Sequence, residues 1–205
     1  PTRRSSDLVI CRLMTDRKPL PGKLAFSRDL FVLLFLLRGM PFVDLAFLRR
    51  CDLQGNVITY HRRKTSRKLT VVVGKEAMEI IQKYMYAIPD SPYLFPIIQN
   101  PGKDEYGQYA RMLRLQNYRL TQVANILGIR DRLSTYTARH TWATTALRQN
   151  YNSSLICDAM GHSSVKVTET YFQPYRDDEV NRMNSSLITY ILSKKKRGTD
   201  KKIRS

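Results

Sequence analysis

Apolar runs, amphipathic stretches and short alternating segments follow one another along the chain. Their spacing predicts a mainly helical protein with one small β element. Residues 28–38 are apolar nearly all round, the pattern of a buried helix, with Ser27 as its N-cap and Gly39 as its stop. Pro41 is placed to open the next helix, through about Arg49, because its fixed φ suits a first turn and no N–H is needed there. Val57–His61 and Lys68–Val73 are rich in β-branched residues and flank a polar turn, which predicts a β-hairpin. After Gly74, the residues Ala77, Ile80, Ile81, Tyr84, Met85 and Ile88 recur at helical spacing. Residues 89–104 carry Pro, Ser, Asn and Gly and read as loop. Tyr106–Leu127 reads as a helix stopped at Gly128, and further helices are expected over 136–149, 154–160, 165–172 and 177–191. The last presents Val180, Met183, Leu187 and Ile191 on one face. The expected fold class is mainly α with a small antiparallel β-sheet, an α+β arrangement.

Composition narrows the partner. The chain has 205 residues, with 35 Lys and Arg against 17 Asp and Glu, a formal net charge of +18. A surplus this large repels itself unless a polyanion answers it, so nucleic acid leads and an anionic membrane surface follows. The apolar fraction of 42% opposes disorder, and a chain this long buries roughly 70% of its unfolded surface. The most apolar run, Phe31–Leu37, falls far short of the about 20 residues that span a bilayer, and no secretory signal pattern is visible. The membrane therefore drops well behind nucleic acid. Cys11, Cys51 and Cys157 are scattered and odd in number, so neither a disulfide framework nor a zinc site follows, and a reducing, cytoplasmic setting is expected.

Residues 1–21 read as an N-terminal extension or linker, 22–192 as the folded domain and 193–205 as a basic, disordered tail. Pro1–Leu8 has two readings: it matches one frame of a common sequencing adaptor, a cloning scar, or it is an ordinary basic linker. From Lys194 to Ser205 there are seven basic residues and one acidic, with little to bury. The remainder stays strongly basic, so the tail alone does not explain the charge.

Three segments carry candidate chemistry. Thr135–Thr144 contains Arg139 and His140 at the expected first turn of a helix, where backbone N–H groups also favour an anion. Ala159–Ser164 puts His162 after Gly161 at a helix-to-helix corner, and nine residues later Tyr171 supplies a phenol. Singly, each has a plainer reading: a core tyrosine, a capping histidine, a solvated arginine.

Their order changes that. Arg139-His140-Thr141-Trp142-Ala143-Thr144, then Gly161-His162-Ser163-Ser164, then Thr168 and Tyr171, resembles the C-terminal signature of the tyrosine recombinases, the phage-integrase family, in its mobile-element integrase type. The resemblance covers roughly residues 22–185, which makes 22–192 the catalytic domain; that family's separate DNA-clamping domain is expected upstream. It implies site-specific DNA recombination, in which a tyrosine attacks a DNA phosphodiester, forms a 3′-phosphotyrosyl link and is later displaced by a 5′-hydroxyl. The bond energy stays in the intermediate, so no cofactor is implied. The implied partners are double-stranded DNA and further copies of the chain, a tetramer of the full-length protein on DNA.

By the same resemblance Tyr171 is the nucleophile, Arg139 the second of two phosphate-gripping arginines and His162 a phosphate hydrogen-bonding group or proton carrier. Lys64 resembles the hairpin lysine that protonates the leaving oxygen. The alternative for Lys64 is a place among the phosphate-lining cations Arg62, Arg63, Arg67 and Lys68. His140 follows Arg139 by one residue and points elsewhere on the helix, which favours packing; it is carried as a further DNA-contact candidate. Trp142 reads as packing, and His61 has no visible partner.

Two departures stand against the family pattern. Tyr136 occupies the position of a histidine; a phenol can donate one hydrogen bond to phosphate but cannot titrate as imidazole does near neutrality. Pro41 occupies the register of the first arginine, while Asp44 matches the family's acidic residue. Arg38 is the nearest substitute, its alternative being to neutralise carbonyls at its own helix end. Some integrases of mobile elements lack this arginine in register and still work, so the gap does not imply a dead enzyme. The competing readings are a catalytically impaired DNA-binding module that retains the recombinase fold, and a basic structural nucleic-acid protein with chance motifs.

Overall fold

The computed structural model describes residues 5–16, 18–170 and 181–189. The chain divides into two units, residues 1–171 and 172–205. In the first, helices α1 (Ser5–Thr15), α2 (Gly22–Leu36) and α3 (Phe42–Ala46) precede a 3₁₀ turn, Arg50–Asp52, and a three-stranded sheet. The strands are β1 (Leu53–Gln54), β2 (Val57–His61) and β3 (Lys68–Val72), antiparallel in the order β1-β2-β3, with Val57 opposite Val72 and His61 opposite Lys68. Helices α4 (Lys75–Tyr84), α5 (Glu105–Leu127), α6 (Thr135–Arg148), α7 (Ser153–Met160) and α8 (Val165–Glu169) follow. The α+β expectation is met; β1 adds to it, a strand without a sequence signal because two residues carry no readable alternation.

Helix α2 is the axis of the core, packed by α1, α4, α5 and α6. Leu30, Phe31, Leu33 and Leu34 are sealed from solvent, as an all-round apolar helix requires, each side chain contributing about 1.5–3 kcal/mol. The one acid on this helix, Asp29, is buried and held by Lys83 and Tyr84, each at 2.7 Å, and by Arg28. These hydrogen bonds and the Arg28 charge outweigh burial, so its carboxyl stays below the usual range.

Four expectations are corrected. Helix α2 begins at Gly22, with Pro21 at the N-cap, because Leu24, Ala25 and Phe26 extend the apolar run upstream; Ser27 is interior, its hydroxyl donating to the Lys23 carbonyl at 3.1 Å. The same helix stops at Leu36, since Arg38 and Gly39 both take left-handed backbone, φ +60° and +67°. The helix after Pro41 does not reach Arg49: that residue is extended and bridges Tyr93, while Leu94 N–H donates to the Leu48 carbonyl. Residues 5–15 are no linker: Val9, Ile10 and Leu13 are buried in the core, and Asp7 accepts from Thr145 and Arg148 on α6.

In the second unit, residues 181–189 are helical and expose Met183, Leu187 and Ile188. Val180 and Ile191, the rest of the expected stripe, lie outside the described residues, as does the tail from 193.

Candidate active site

Helix α6 starts at Thr135 with Ser134 as N-cap, so Arg139 sits in its second turn. The expected use of the helix's own N-terminal N–H groups beside Arg139 is therefore corrected. The Arg139 side chain is buried, and its guanidinium donates to two carbonyls from elsewhere, Gly39 at 2.6 Å and Met160 at 3.0 Å. Charge on a cation is well matched by such C-terminal carbonyls. The turn bearing Gly39 lies so close that a Cβ there would be 3.1 Å from the Arg139 Cα, and its φ of +67° also selects glycine.

The hairpin supplies the second cationic group. Arg62 N–H donates to the Arg67 carbonyl at 2.9 Å and closes the turn that carries Lys64. The expectation that Arg62 is a phosphate-lining surface cation is corrected: it is 6% exposed and turned inward. Its Nη1 donates to Met160 and Gly161 carbonyls, and its Nε lies 2.8 Å from Asp44 Oδ2. That last approach is an ion contact without hydrogen-bond alignment. Asp44 also accepts the Arg63 N–H at 2.9 Å. Burial pushes the Asp44 carboxyl up, against the Arg63 bond and the charges of Arg62 and Arg139.

The same turn is fastened to the corner that carries His162. Thr65 donates to the Gly161 carbonyl, Arg67 to the His162 carbonyl, both at 3.3 Å, and Arg67 pairs with Asp158 at 2.9 Å. Gly161 has φ +62°, and a Cβ there would meet Leu69 Cδ1 at 2.9 Å and Arg62 Cγ at 3.0 Å. His162 is buried, with Nδ1 2.8 Å from the Thr168 hydroxyl. Burial first, then Arg139, Arg62 and Lys64, hold its pKa down to about 4, so the ring is neutral at neutral pH.

Arg139, His162 and the Lys64 turn thus come together. Arg38 is half-buried beside them and donates to the Thr70 carbonyl at 3.3 Å; the expected alternative, its own helix's carbonyls, is not what it bonds. Arg63, Lys64 and Lys68 are exposed, Arg63 lying 3.9 Å over the Phe47 ring. Tyr136 is exposed in the first turn of α6. His140 is half-buried, its pKa lowered by burial and by Arg148, which suits a packing role. Trp142 packs over Ala143, Ile156 and Met160. Tyr171 lies outside the described residues.

Strand alternation could have revealed the inward Arg62, since Ile58, Tyr60 and Arg62 share the buried face of β2 and its continuation. The Asp44–Arg62 partnership had no sequence signal. Among the described residues no cluster of three or more His, Cys, Asp or Glu could hold a metal, and no helix is long and apolar enough to cross a membrane.

A mostly helical domain with a small three-stranded antiparallel sheet is the fold of tyrosine recombinase catalytic domains. The chain belongs to the phage integrase family, whose sequence pattern matches residues 9–177. It is 26% identical over 167 residues to the tyrosine recombinase XerC of Thermodesulfovibrio yellowstonii, covering 75% of this chain and 52% of that one. Its fold is similar to that of XerA recombinase, with a TM-score of 0.62 at 19% identity, over 88% of this chain and 61% of that one. It is likewise similar to the Tn1549 transposon integrase in complex with a circular intermediate DNA, with a TM-score of 0.63 at 17% identity, over 88% and 63%. The chain spans about half the length of the curated relative it matches.

Proposed function

We propose that this chain is the catalytic part of a site-specific DNA recombinase that works through a 3′-phosphotyrosyl intermediate. The observation that carries the reading is the buried Arg139 beside a neutral His162, with the Lys64 turn fastened to the same corner. Double-stranded DNA is the proposed substrate, in keeping with the family and with the DNA-bound state of the related transposon integrase.

In this reading the Tyr171 hydroxyl gives its proton to water as its oxygen attacks phosphorus, the P–O5′ bond breaks, and the 5′-oxygen leaves as a hydroxyl with a proton from Lys64. A 5′-hydroxyl then attacks the phosphotyrosine and returns its proton to Lys64, the P–O bond to tyrosine breaks, and the phenol regains a proton from water. Charge gathering on the non-bridging oxygens is met by Arg139 and by Arg38, whose next residue's carbonyl Arg139 grips. Tyr136 donates one further hydrogen bond in place of the family's histidine. Arg63, Arg67 and Lys68 fix the register of the duplex through phosphates, which carry no sequence information.

The domain proposed for this work runs from α1 through residue 192, with 193–205 adding salt-sensitive affinity. The exposed Met183, Leu187 and Ile188 suit docking on another protomer of a DNA-bound tetramer. A cytoplasmic setting is proposed with it. Incubating the protein with a nicked DNA site should yield a denaturant-resistant protein–DNA adduct that Tyr171→Phe abolishes. No adduct on a genuine site would leave a DNA-binding module without catalysis.

A further inference from the structure

His162 and Thr168 face each other across the Gly161 corner, 7% and 0% exposed, with the threonine hydroxyl 2.8 Å from Nδ1. A neutral imidazole has one N–H and one bare nitrogen, and the group at Nδ1 decides which is which. A carboxylate or carbonyl there would demand Nδ1–H. A hydroxyl can either donate or accept, so its own proton must be followed. Among the described residues, Nδ1 is the only hydrogen-bond partner of the Thr168 hydroxyl. If Nδ1 carried the ring proton, the Thr168 O–H would be buried with nothing to donate to, a loss that native interiors avoid. The proton of the hydroxyl therefore goes to Nδ1, and the ring proton goes to Nε2.

We infer that Thr168 is a positioning residue that donates to Nδ1 of His162 and holds the ring as a neutral Nε2–H donor for a phosphoryl oxygen. The inference rests on the recombinase reading for its substrate, but not for the tautomer. Phosphate oxygens only accept, so an imidazole that meets them must present N–H. The surroundings keep the ring from becoming a cation: burial first, then Arg139 from α6 and Arg62 and Lys64 from the hairpin turn. Arg67 also faces this corner, bonding the His162 carbonyl. His162 then stabilises charge without moving a proton, which leaves protonation of the leaving oxygen to Lys64. Thr168 lies on α8, three residues before Tyr171 in the chain. The segment that carries the nucleophile thus also sets which edge of His162 donates.

The full chain, labelled with nitrogen-15 histidine, tests this directly. The three histidines are separated by comparison with His162→Gln and His140→Gln. Near neutral pH, His162 should show a bare Nδ1 and a protonated Nε2; Thr168→Ser should keep that signature and Thr168→Val should lose it. On nicked DNA, Thr168→Val should lower adduct formation about tenfold with DNA retention unchanged, and Thr168→Ser should restore it. An Nδ1–H tautomer in the wild type overturns the inference, as does a Val variant with unchanged signature and full cleavage. If Thr168→Val does not fold, the wild-type and Ser signatures decide. Absence of any wild-type adduct sinks the recombinase reading alone, since the nitrogen shifts still assign the tautomer.

Discussion

Arg62 and Asp44 meet at 2.8 Å with side chains 7% and 0% exposed, joining the hairpin to the helix after Pro41. Removing one member of a buried pair strands the other's charge, at a cost of about 3–5 kcal/mol. Arg62→Ala should therefore lower unfolding stability by about that much, whereas the double variant Arg62→Met with Asp44→Leu should recover most of it. Urea titration of the three proteins checks this; a double variant no better than the single would reject the pairing.

Gly161 should tolerate no side chain. Its φ of +62° and the 2.9–3.0 Å approach of a Cβ to Leu69 and Arg62 predict a loss of about 1–3 kcal/mol for Gly161→Ala. The hairpin would shift off the His162 corner, so adduct formation should fall along with thermal stability. Full activity in Gly161→Ala would contradict the close packing.

Arg38 offers a separation of stability from activity. Its left-handed backbone, φ +60°, is strained for arginine and open to glycine. Arg38→Gly should hold stability within about 1 kcal/mol of the parent, and Arg38→Ala and Arg38→Gly should both lower cleavage while leaving DNA retention nearly intact. Equal cleavage in either variant would remove Arg38 from the chemistry.

The His162 ring makes stability fall on acidification. Its folded pKa of about 4 lies below the ordinary 6.5, so between those values the unfolded chain binds a proton that the folded chain refuses. The contribution is complete above pH 6.5 and is lost as pH falls towards about 4. His140, also held down, acts in the same direction. Denaturation midpoints across this range should fall less steeply in His162→Gln than in the wild type; parallel curves would refute the assignment.

The basic tail should show itself in salt rather than in specificity. Truncation before Lys194 should weaken DNA retention and reduce the logarithmic salt slope by roughly 0.9 for each phosphate that the tail had neutralised. An unchanged slope would take the tail off the DNA.

The helices α5, α6 and α7 were readable from their patterns, with Gly128 marking the end of the first, whereas their N-caps Asp104, Ser134 and Asn152 emerge only in the structure. Arg139 and the His162 corner were readable as a spaced motif, and the structure brings them together. What was not readable depended on contacts between distant residues. Nothing local says that Arg49 exchanges helical bonds for a bridge to Tyr93, or that Asp7 ties α1 to α6. The inward turn of Arg62 was hidden by its basic neighbours Arg63, Lys64 and Arg67, which do face out.

The Met160 carbonyl accepts from both Arg62 and Arg139. One oxygen at the end of α7 therefore sets the spacing between a cation from the hairpin and a cation from α6. Two guanidiniums that would otherwise drive each other apart are indexed to a common origin. Undocking of α7 therefore loosens both arginines at once, leaving Arg139 its bond to the Gly39 carbonyl and Arg62 its contact with Asp44. In the recombinase reading, such a chain would keep its surface charge for DNA while losing the order of its site.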